Sequence, residues 1–470
     1  MKRFGCKVLL LLGGMFLLGG GTAQAQYLRS SYFMEGTSAR LQLNPGLQPT
    51  RGYFNIPVIG SLNVSASSNV LGTSDIIDVL DSKNSLYSND KLFDKLLQSD
   101  NRLNVNLNTD ILSFGWYRGK GFWTFNVGLR TDIGASLAKD MFSMMRNMKG
   151  FALEDMAGTT ANYDLSNQSV NVKAYAEVGL GYSRRITEKL TVGARVKVLL
   201  GLARAEVNIN KFNVDLDLPN LNATGGEVSP SDWYGKGYSY TADANVLTTL
   251  KGGGMTFNED GKINKFDMKL EDMGISGTGF GIDLGASYKI WDNLTVSASV
   301  LDLGFLNWKE SETTVATVTG NENVTIDENN YDRYIGGDFL SVERFDFKKG
   351  STENVKNKTR LYSTVLIAGE YGLLNNKLSV GAMYTARFVE PKTLNELTFS
   401  ATLRPANWLN AAISYSPILA SGKSIGVAVK LGPLFVGTDY MFLGRNSKTV
   451  NGFVGISLPL GGKPSASSEN

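Results

Sequence analysis

Between residues 278 and 308, apolar and small polar positions alternate almost without a break. Phe280, Ile282, Leu284, Ala286, Tyr288 and Ile290 share one face of an extended chain; Gly281, Asp283, Gly285, Ser287 and Lys289 share the other. Successive strand side chains point to opposite sides, so this spacing predicts a strand. Trp291-Asp292-Asn293 is turn-like, and Leu294, Val296, Ala298 and Val300 then alternate with Thr295, Ser297 and Ser299. A longer hairpin places Val170, Val172, Ala174, Ala176, Val178, Leu180 and Tyr182 opposite Lys173, Tyr175, Glu177, Gly179 and Gly181. Its return strand sets Leu190, Val192, Ala194, Val196 and Val198 against Thr191, Gly193, Arg195 and Lys197. Charge recurs on one face only, the pattern of a polar lumen and an apolar exterior.

The unit repeats. Leu190-Thr-Val-Gly-Ala194, Leu294-Thr-Val-Ser-Ala298 and Leu378-Ser-Val-Gly-Ala382 each follow a short turn, and Leu409-Asn-Ala-Ala-Ile413 is a looser copy. Further strands are predicted over 103–116, 123–130, 361–371, 378–388, 397–404, 409–416, 425–431, 434–442 and 450–460, after a first run from Phe54 to Ala66. The expectation is an all-β transmembrane antiparallel β-barrel of about 14 strands with a few short helices in its loops. Short connections at 118–121, 187–189, 291–293, 374–376, 405–407 and Gly432-Pro433 alternate with long ones that include 67–102, 136–168, 208–277 and 309–358. Short turns belong at the periplasmic end of such a barrel, and an even strand count returns the chain to that end. Helical spacing marks 74–99 (Ile76, Ile77, Leu80; Leu92, Phe93, Leu96, Leu97) and 137–148, where a Met stripe suits a helix packed on the rim or in the lumen. Asp302 shares the parity of the outward Val300, while Leu301, Leu303 and Phe305 take the other. A lipid-facing carboxylate is costly, so a bulge is predicted near Leu301.

The N-terminus sets the compartment. Lys2, Arg3 and Lys7 flank a short Leu- and Gly-rich run, and Thr22-Ala23-Gln24-Ala25 precedes Gln26. This reads as a secretory signal cleaved between Ala25 and Gln26. Cys6 leaves with it, and the chain of 470 residues has no histidine. Disulfides, Cys/His metal sites and imidazole-dependent catalysis are thereby excluded, and neither an enzyme nor a cofactor is expected. Without Lys2, Arg3 and Lys7 the 47 basic residues become 44, equal to the 44 acidic ones. No net field favours nucleic acid. Residues 26–52 are turn-rich and not strand-like, 53–460 form the barrel, and 461–470 are a polar tail.

Strand parity places Arg130, Lys173, Glu177, Arg195, Lys197, Asp283, Arg360, Glu370, Arg387, Arg404 and Asp439 on the inner face. They either pair across strands or line a substrate path. Asp75, Asp78, Asp81, Asp327 and Glu328 lack the spacing of a calcium loop. Gly279, Gly281 and Gly285 precede no helix, as a nucleotide site would require; on the lumen face they permit strand curvature and close approach.

Asn44-Pro45-Gly46-Leu47-Gln48-Pro49, followed by Arg51-Gly-Tyr-Phe-Asn-Ile-Pro57, resembles the entry motif of an uncharacterised family of Bacteroidota outer-membrane barrels related to long-chain fatty-acid transporters (FadL-like). Ser299-Val-Leu-Asp-Leu-Gly-Phe305 with Trp308 resembles its mid-barrel signature. In the transporters an Asn-Pro-Ala motif belongs to an N-terminal hatch. The resemblance therefore implies a hatch over 26–52 with Asn44, Pro45 and Gly46 as its motif, Gly46 standing where Ala would. It further implies either uptake of a hydrophobic small molecule or, as in secretion-associated (PorV-like) barrels, long loops that bind outer-membrane or secreted proteins. Outer-membrane lipid is the expected surrounding in both cases.

Overall fold

The computed structural model describes residues 29–35, 37–57, 61–72, 75, 90–98, 100–147, 160–220, 229–334, 347–353, 355–389, 393–419, 422–441 and 449–461. The predicted cleavage point at Ala25 and Gln26, the polar tail beyond Gly461, and Ile76, Ile77 and Leu80 of the predicted helix lie outside them. The chain begins with two short helices, α1 (Arg29–Tyr32) and α2 (Ala39–Leu43). It continues through β1 (Gly52–Asn55), β2 (Leu62–Ser68), α3 (Asp90–Leu96), β3 (Asn101–Arg118), β4 (Gly121–Leu137), α4 (Lys139–Asn147), β5 (Thr160–Asp164), β6 (Gln168–Arg185) and β7 (Leu190–Asp217). Next come β8 (Gly237–Leu250), β9 (Gly253–Phe257), β10 (Ile263–Met268), β11 (Gly277–Trp291), β12 (Leu294–Trp308), β13 (Thr313–Thr325), α5 (Tyr331–Tyr334), β14 (Lys348–Lys349) and β15 (Lys358–Arg360). The last strands are β16 (Thr364–Leu373), β17 (Leu378–Arg387), β18 (Leu394–Ala406), β19 (Leu409–Leu419), β20 (Gly422–Leu431), β21 (Leu434–Met441) and β22 (Thr449–Leu460).

Antiparallel pairing closes these strands into a barrel of 14 strands. The seam is double. β22 pairs with β1 (Phe54 opposite Leu458) and with β2 (Val64 opposite Gly452), and both also pair with β3. β1 and β2 therefore act as one wall strand interrupted between them, and β15 and β16 do the same beside β12. Closure leaves no exposed edge, which a sheet in lipid requires.

Burial inverts the order of a soluble protein. Asp283 is fully buried and Glu177 is 2% exposed, whereas the outward Val198, Ile367 and Ile413 are each more than half exposed. Trp291 and Trp408 stand in the open at short turns, as interface aromatics do in a membrane barrel. No described helix is long and apolar enough to cross a membrane.

At the long-loop end the chain departs from the sequence expectation. Much of 208–277 and 309–358, read as loop, is strand. β7 runs 28 residues, and its far half pairs with β5 and β8, which in turn pairs with β13. This sheet covers an apolar core containing Leu96, Met141, Met144, Leu216, Trp233, Tyr240 and Ile326. The Met-striped segment is α4, and it packs there rather than in the lumen.

The bulge expected near Leu301 falls at Asp302, whose φ is +58°, where the register between β11 and β12 shifts from Ile282 to Leu284. Below it Ser299 and Leu301 are buried inside; above it Leu306 and Trp308 are inside and Leu303 faces out. Positive φ strains a residue with a Cβ and is free for Gly. Asp302→Gly and Asp302→Ala both remove the carboxylate, so the difference between them isolates the backbone. Asp302→Ala is expected to be about 1 kcal/mol less stable than Asp302→Gly by urea unfolding in detergent; equal midpoints would show that the bulge carries no strain.

Candidate functional site

Residues 29–35 and 37–49 lie inside the barrel, near the short-turn end, with α1 fully buried. A segment in that position must bond its backbone to the wall, because buried N–H and C=O groups left unpaired cost about 1–3 kcal/mol each. The wall supplies the partners. Arg195 Nη2 donates to Leu41 O (2.6 Å), Ser299 Oγ to Leu43 O (2.6 Å), Ser287 Oγ to Gly46 O (3.0 Å), Arg404 Nη2 to Phe33 O (2.6 Å) and Asn410 Nδ2 to Glu35 O (2.9 Å). Tyr117 OH donates to Pro49 O. At the other end, Asp439 accepts the backbone N–H groups of Arg29 and Ser30, each at 2.8 Å.

Asn44, Pro45 and Gly46 form the tightest seat. Asn44 is fully buried; its Nδ2 donates to Ala286 O and Ala298 O (both 3.2 Å), and its Oδ1 accepts from Gly46 N (2.8 Å). A Cβ on Gly193 would collide with the Pro45 carbonyl, one on Gly285 with the Asn44 amide, and one on Gly46 with the backbone of Ala286. Here the absence of a side chain is a requirement of close approach. The sequence repeat explains the rest. Its fourth position is small in every copy and meets the hatch in each: Gly193 faces Pro45, Ser297 bonds Tyr32 OH (2.6 Å), Gly381 lies against the Phe33 ring, and Ala412 packs in one cluster with Met34.

Beyond the hatch lies a buried ion network. Arg130 meets Asp110 (3.0 Å) and Glu177 (3.3 Å); Lys197 meets Asp302 (2.6 Å), Asp283 (2.9 Å) and Glu177 (3.5 Å); Arg195 meets Asp283 (3.2 Å). Arg387 pairs with Asp132 (3.0 Å), and Lys173 and Arg387 both lie over the Tyr362 ring. Isolated charges could not be buried at this depth; each is held by opposite charge. Space for solvent among these groups is about 40 Å³, room for a few waters. Next along the axis, Tyr175, Leu199, Leu306, Trp308 and Leu361 form an apolar cluster.

Ten of the residues read from parity as inward, Arg130, Lys173, Glu177, Arg195, Lys197, Asp283, Glu370, Arg387, Arg404 and Asp439, lie inside the wall. Lys173 and Arg387 flank Tyr362, Asp439 holds the Arg29 and Ser30 N–H groups, and the other seven form two groups. Arg130, Glu177, Arg195, Lys197 and Asp283 belong to the network, whereas Glu370 and Arg404 hold Arg40 (Arg40–Glu370 3.0 Å) and the Phe33 carbonyl. Arg360 is a correction: it is exposed and faces outward. Its strand partner is Phe305, above the Asp302 inversion, and residues 361–363 leave the strand between Arg360 and the inward Thr364. Parity counted through that break reverses. Sequence reading missed Asp110, Asp132 and Glu396, the last pairing with Arg29 at 3.4 Å. Asp132 and Glu396 share the parity of Arg130 and Arg404, which was the available signal. Among the described residues, no group of carboxylates is arranged to hold a metal.

A family model described as "Family of unknown function (DUF5723)" matches residues 45–439. None of the curated proteins compared with the chain matches it. Among solved structures, the toluene transporter TbuX of Ralstonia pickettii is 12% identical, with 90% of this chain and 94% of that one covered and a TM-score of 0.43. The toluene transporter TodX of Pseudomonas putida is 14% identical, with 93% and 99% covered and a TM-score of 0.41. The translocator domain of the autotransporter NalP of Neisseria meningitidis is 7% identical, with 88% and 90% covered and a TM-score of 0.32.

Gly193→Val should unseat the Asn44–Gly46 turn and spare the wall, since a β-branched residue suits a strand. With Cys6→Ser and a single reporter, Ser299→Cys, maleimide labelling is expected to quicken by about tenfold or more, as buried bonds worth about 1–3 kcal/mol are lost. Unchanged labelling would mean that the turn does not depend on the glycine niche.

Proposed function

We propose that this chain, which belongs to the family of unknown function DUF5723, is an outer-membrane barrel closed by its hatch and gated for a hydrophobic small molecule. One observation carries the reading. The hatch places Tyr32, Phe33, Leu43 and Leu47 against Leu366, Ala368 and Met383 of the wall, and Met34 against Ala412, Phe435 and Phe453. These are apolar berths beside a layer of polar and charged groups in the lumen. Hatch side chains occupy the space an apolar ligand would take, so displacement of the hatch vacates a site of matching chemistry. Besides these apolar contacts, residues 29–35 and 37–49 are held by hydrogen bonds and ion pairs to the wall. Water can replace such bonds one at a time, which suits a segment that moves. The reading involves no catalytic step.

A second reading rests on the sheet of β7, β8 and β13, which carries its own core beyond the wall. It supports a barrel that binds outer-membrane or secreted proteins through its long-loop end.

The test weakens the latch in the full chain. Asp439→Ala leaves the N–H groups of Arg29 and Ser30 without their acceptor, at about 1–3 kcal/mol each. Binding of the apolar dye 1-N-phenylnaphthylamine to the purified barrel should rise in Asp439→Ala relative to wild type, and Phe33→Ala should raise it further. If neither variant binds the dye while a stoichiometric protein partner co-purifies with both, the gate reading fails and the partner-binding one stands.

A further inference from the structure

The outward position of Arg360 has a consequence for the membrane. On the exterior of β12 the apolar column runs through Val296, Val300, Leu303 and Phe305, then changes to Asn307 and Lys309, both exposed. The neighbouring segment is Lys356-Asn-Lys-Thr-Arg360, with Lys356, Lys358 and Arg360 all exposed. Register places Arg360 beside Phe305 and Lys358 beside Asn307, at the upper limit of the lipid-facing surface. The Lys358 ammonium sits 3.8 Å from the centroid of the Phe305 ring. Arg360 makes no hydrogen bond or ion pair among the described residues. Glu310, the carboxylate next to Lys309 in the chain, lies 3.1 Å from Thr352 Oγ1.

The cations are firmly mounted. Trp308 Nε1 donates to Thr359 Oγ1 at 2.9 Å inside the wall, and backbone bonds join Trp308 N to Asn357 O (2.8 Å) and Leu361 N to Gly304 O (3.0 Å). With Thr359 held inward, Lys358 and Arg360 must point out.

We propose that Lys358 and Arg360 form a binding site for the phosphate of an anionic glycolipid in the outer leaflet. Four features converge on that ligand. The cations lie at the long-loop end, which faces the outside in the outer-membrane reading on which this proposal rests. They stand immediately above the apolar surface, at headgroup height. A guanidinium matches phosphate geometry, and the ammonium adds a second charge. Phe305 and Phe280, paired across β11 and β12 level with Arg360 and below Lys358, offer an apolar wall to the acyl chains.

Native mass spectrometry of the full-length barrel in mild detergent tests the site. The probes are bis-phosphorylated lipid A, the same lipid dephosphorylated, and phosphatidylglycerol. Wild type is expected to retain lipid A about tenfold better than either other probe, and Lys358→Glu with Arg360→Glu to lose that preference, because each juxtamembrane cation contributes to anionic-lipid affinity. Arg360→Lys should keep most of it. Heat-modifiable gel mobility checks that the charge-reversed barrel is folded. Equal retention by the folded double variant, or of dephosphorylated lipid A by wild type, would overturn the site. Equal retention of phosphatidylglycerol would overturn the glycolipid as its ligand. None of these outcomes depends on hatch movement, so this proposal and the gate reading fail separately.

Discussion

A peptide segment threaded through a closed barrel has little water to bond, and the interior of this protein is arranged around that shortage. Six carbonyls of the hatch, those of Phe33, Glu35, Leu41, Leu43, Gly46 and Pro49, each take a donor from a wall side chain. The donors come from β3, β7, β11, β12, β18 and β19, so the seat is distributed around the wall. No single strand holds the hatch. The wall must bring polar groups into its interior to do this, and that demand explains why inward positions carry Ser, Asn and Arg where a soluble barrel would carry Val and Leu.

Arg195 shows how the two interior layers depend on one another. One guanidinium nitrogen bonds the Leu41 carbonyl and the other meets Asp283. Asp283 also receives Lys197 and the Asp302 backbone N–H (2.8 Å). A cation that served only the hatch would be a buried, uncompensated charge. The acidic groups beyond it make such a donor tolerable, and the ion network is therefore part of the hatch seat. Gln42, which bonds Asp110, is a second tie between the same layers.

The wall was legible because its rule is local. A period of two, with charge on one parity, identifies strand and facing together, and it placed every charged position read from it except Arg360, where the strand breaks. The same period went unused in 208–277, which was read as loop. Tyr238, Tyr240, Ala242 and Ala244 alternate with Ser239, Thr241, Asp243 and Asn245 as a wall strand would, but this sheet buries one face on a core of its own. Alternation reports that one face is buried; it does not report what covers it. The N-terminal segment was legible through the Asn44-Pro45-Gly46 resemblance and invisible to periodicity for the opposite reason. Its helices are four and five residues long, too short for a period, and its partners lie hundreds of residues away. The sequence traces of its seat were Gly285, read as permitting close approach, and the small fourth residue of each repeat, whose meaning needs Pro45, Tyr32, Phe33 and Met34 to be in place.

Asp302 connects the inner and outer surfaces. An uninterrupted β12 would keep one parity outside from Leu294 to Trp308 and put the Asp302 carboxylate into lipid. The inversion turns that carboxylate to Lys197 and carries Trp308 inside, where its indole holds Thr359. Because β15 is registered on the upper half of β12, the same inversion turns Lys358 and Arg360 outward. One residue in the left-handed region thus sets the charge of the lumen and the charge of the rim. Loss of the bulge would turn the acid outward and carry two cations in beside an apolar cluster. Both consequences are costly, and together they call for an inversion between Leu301 and Leu303.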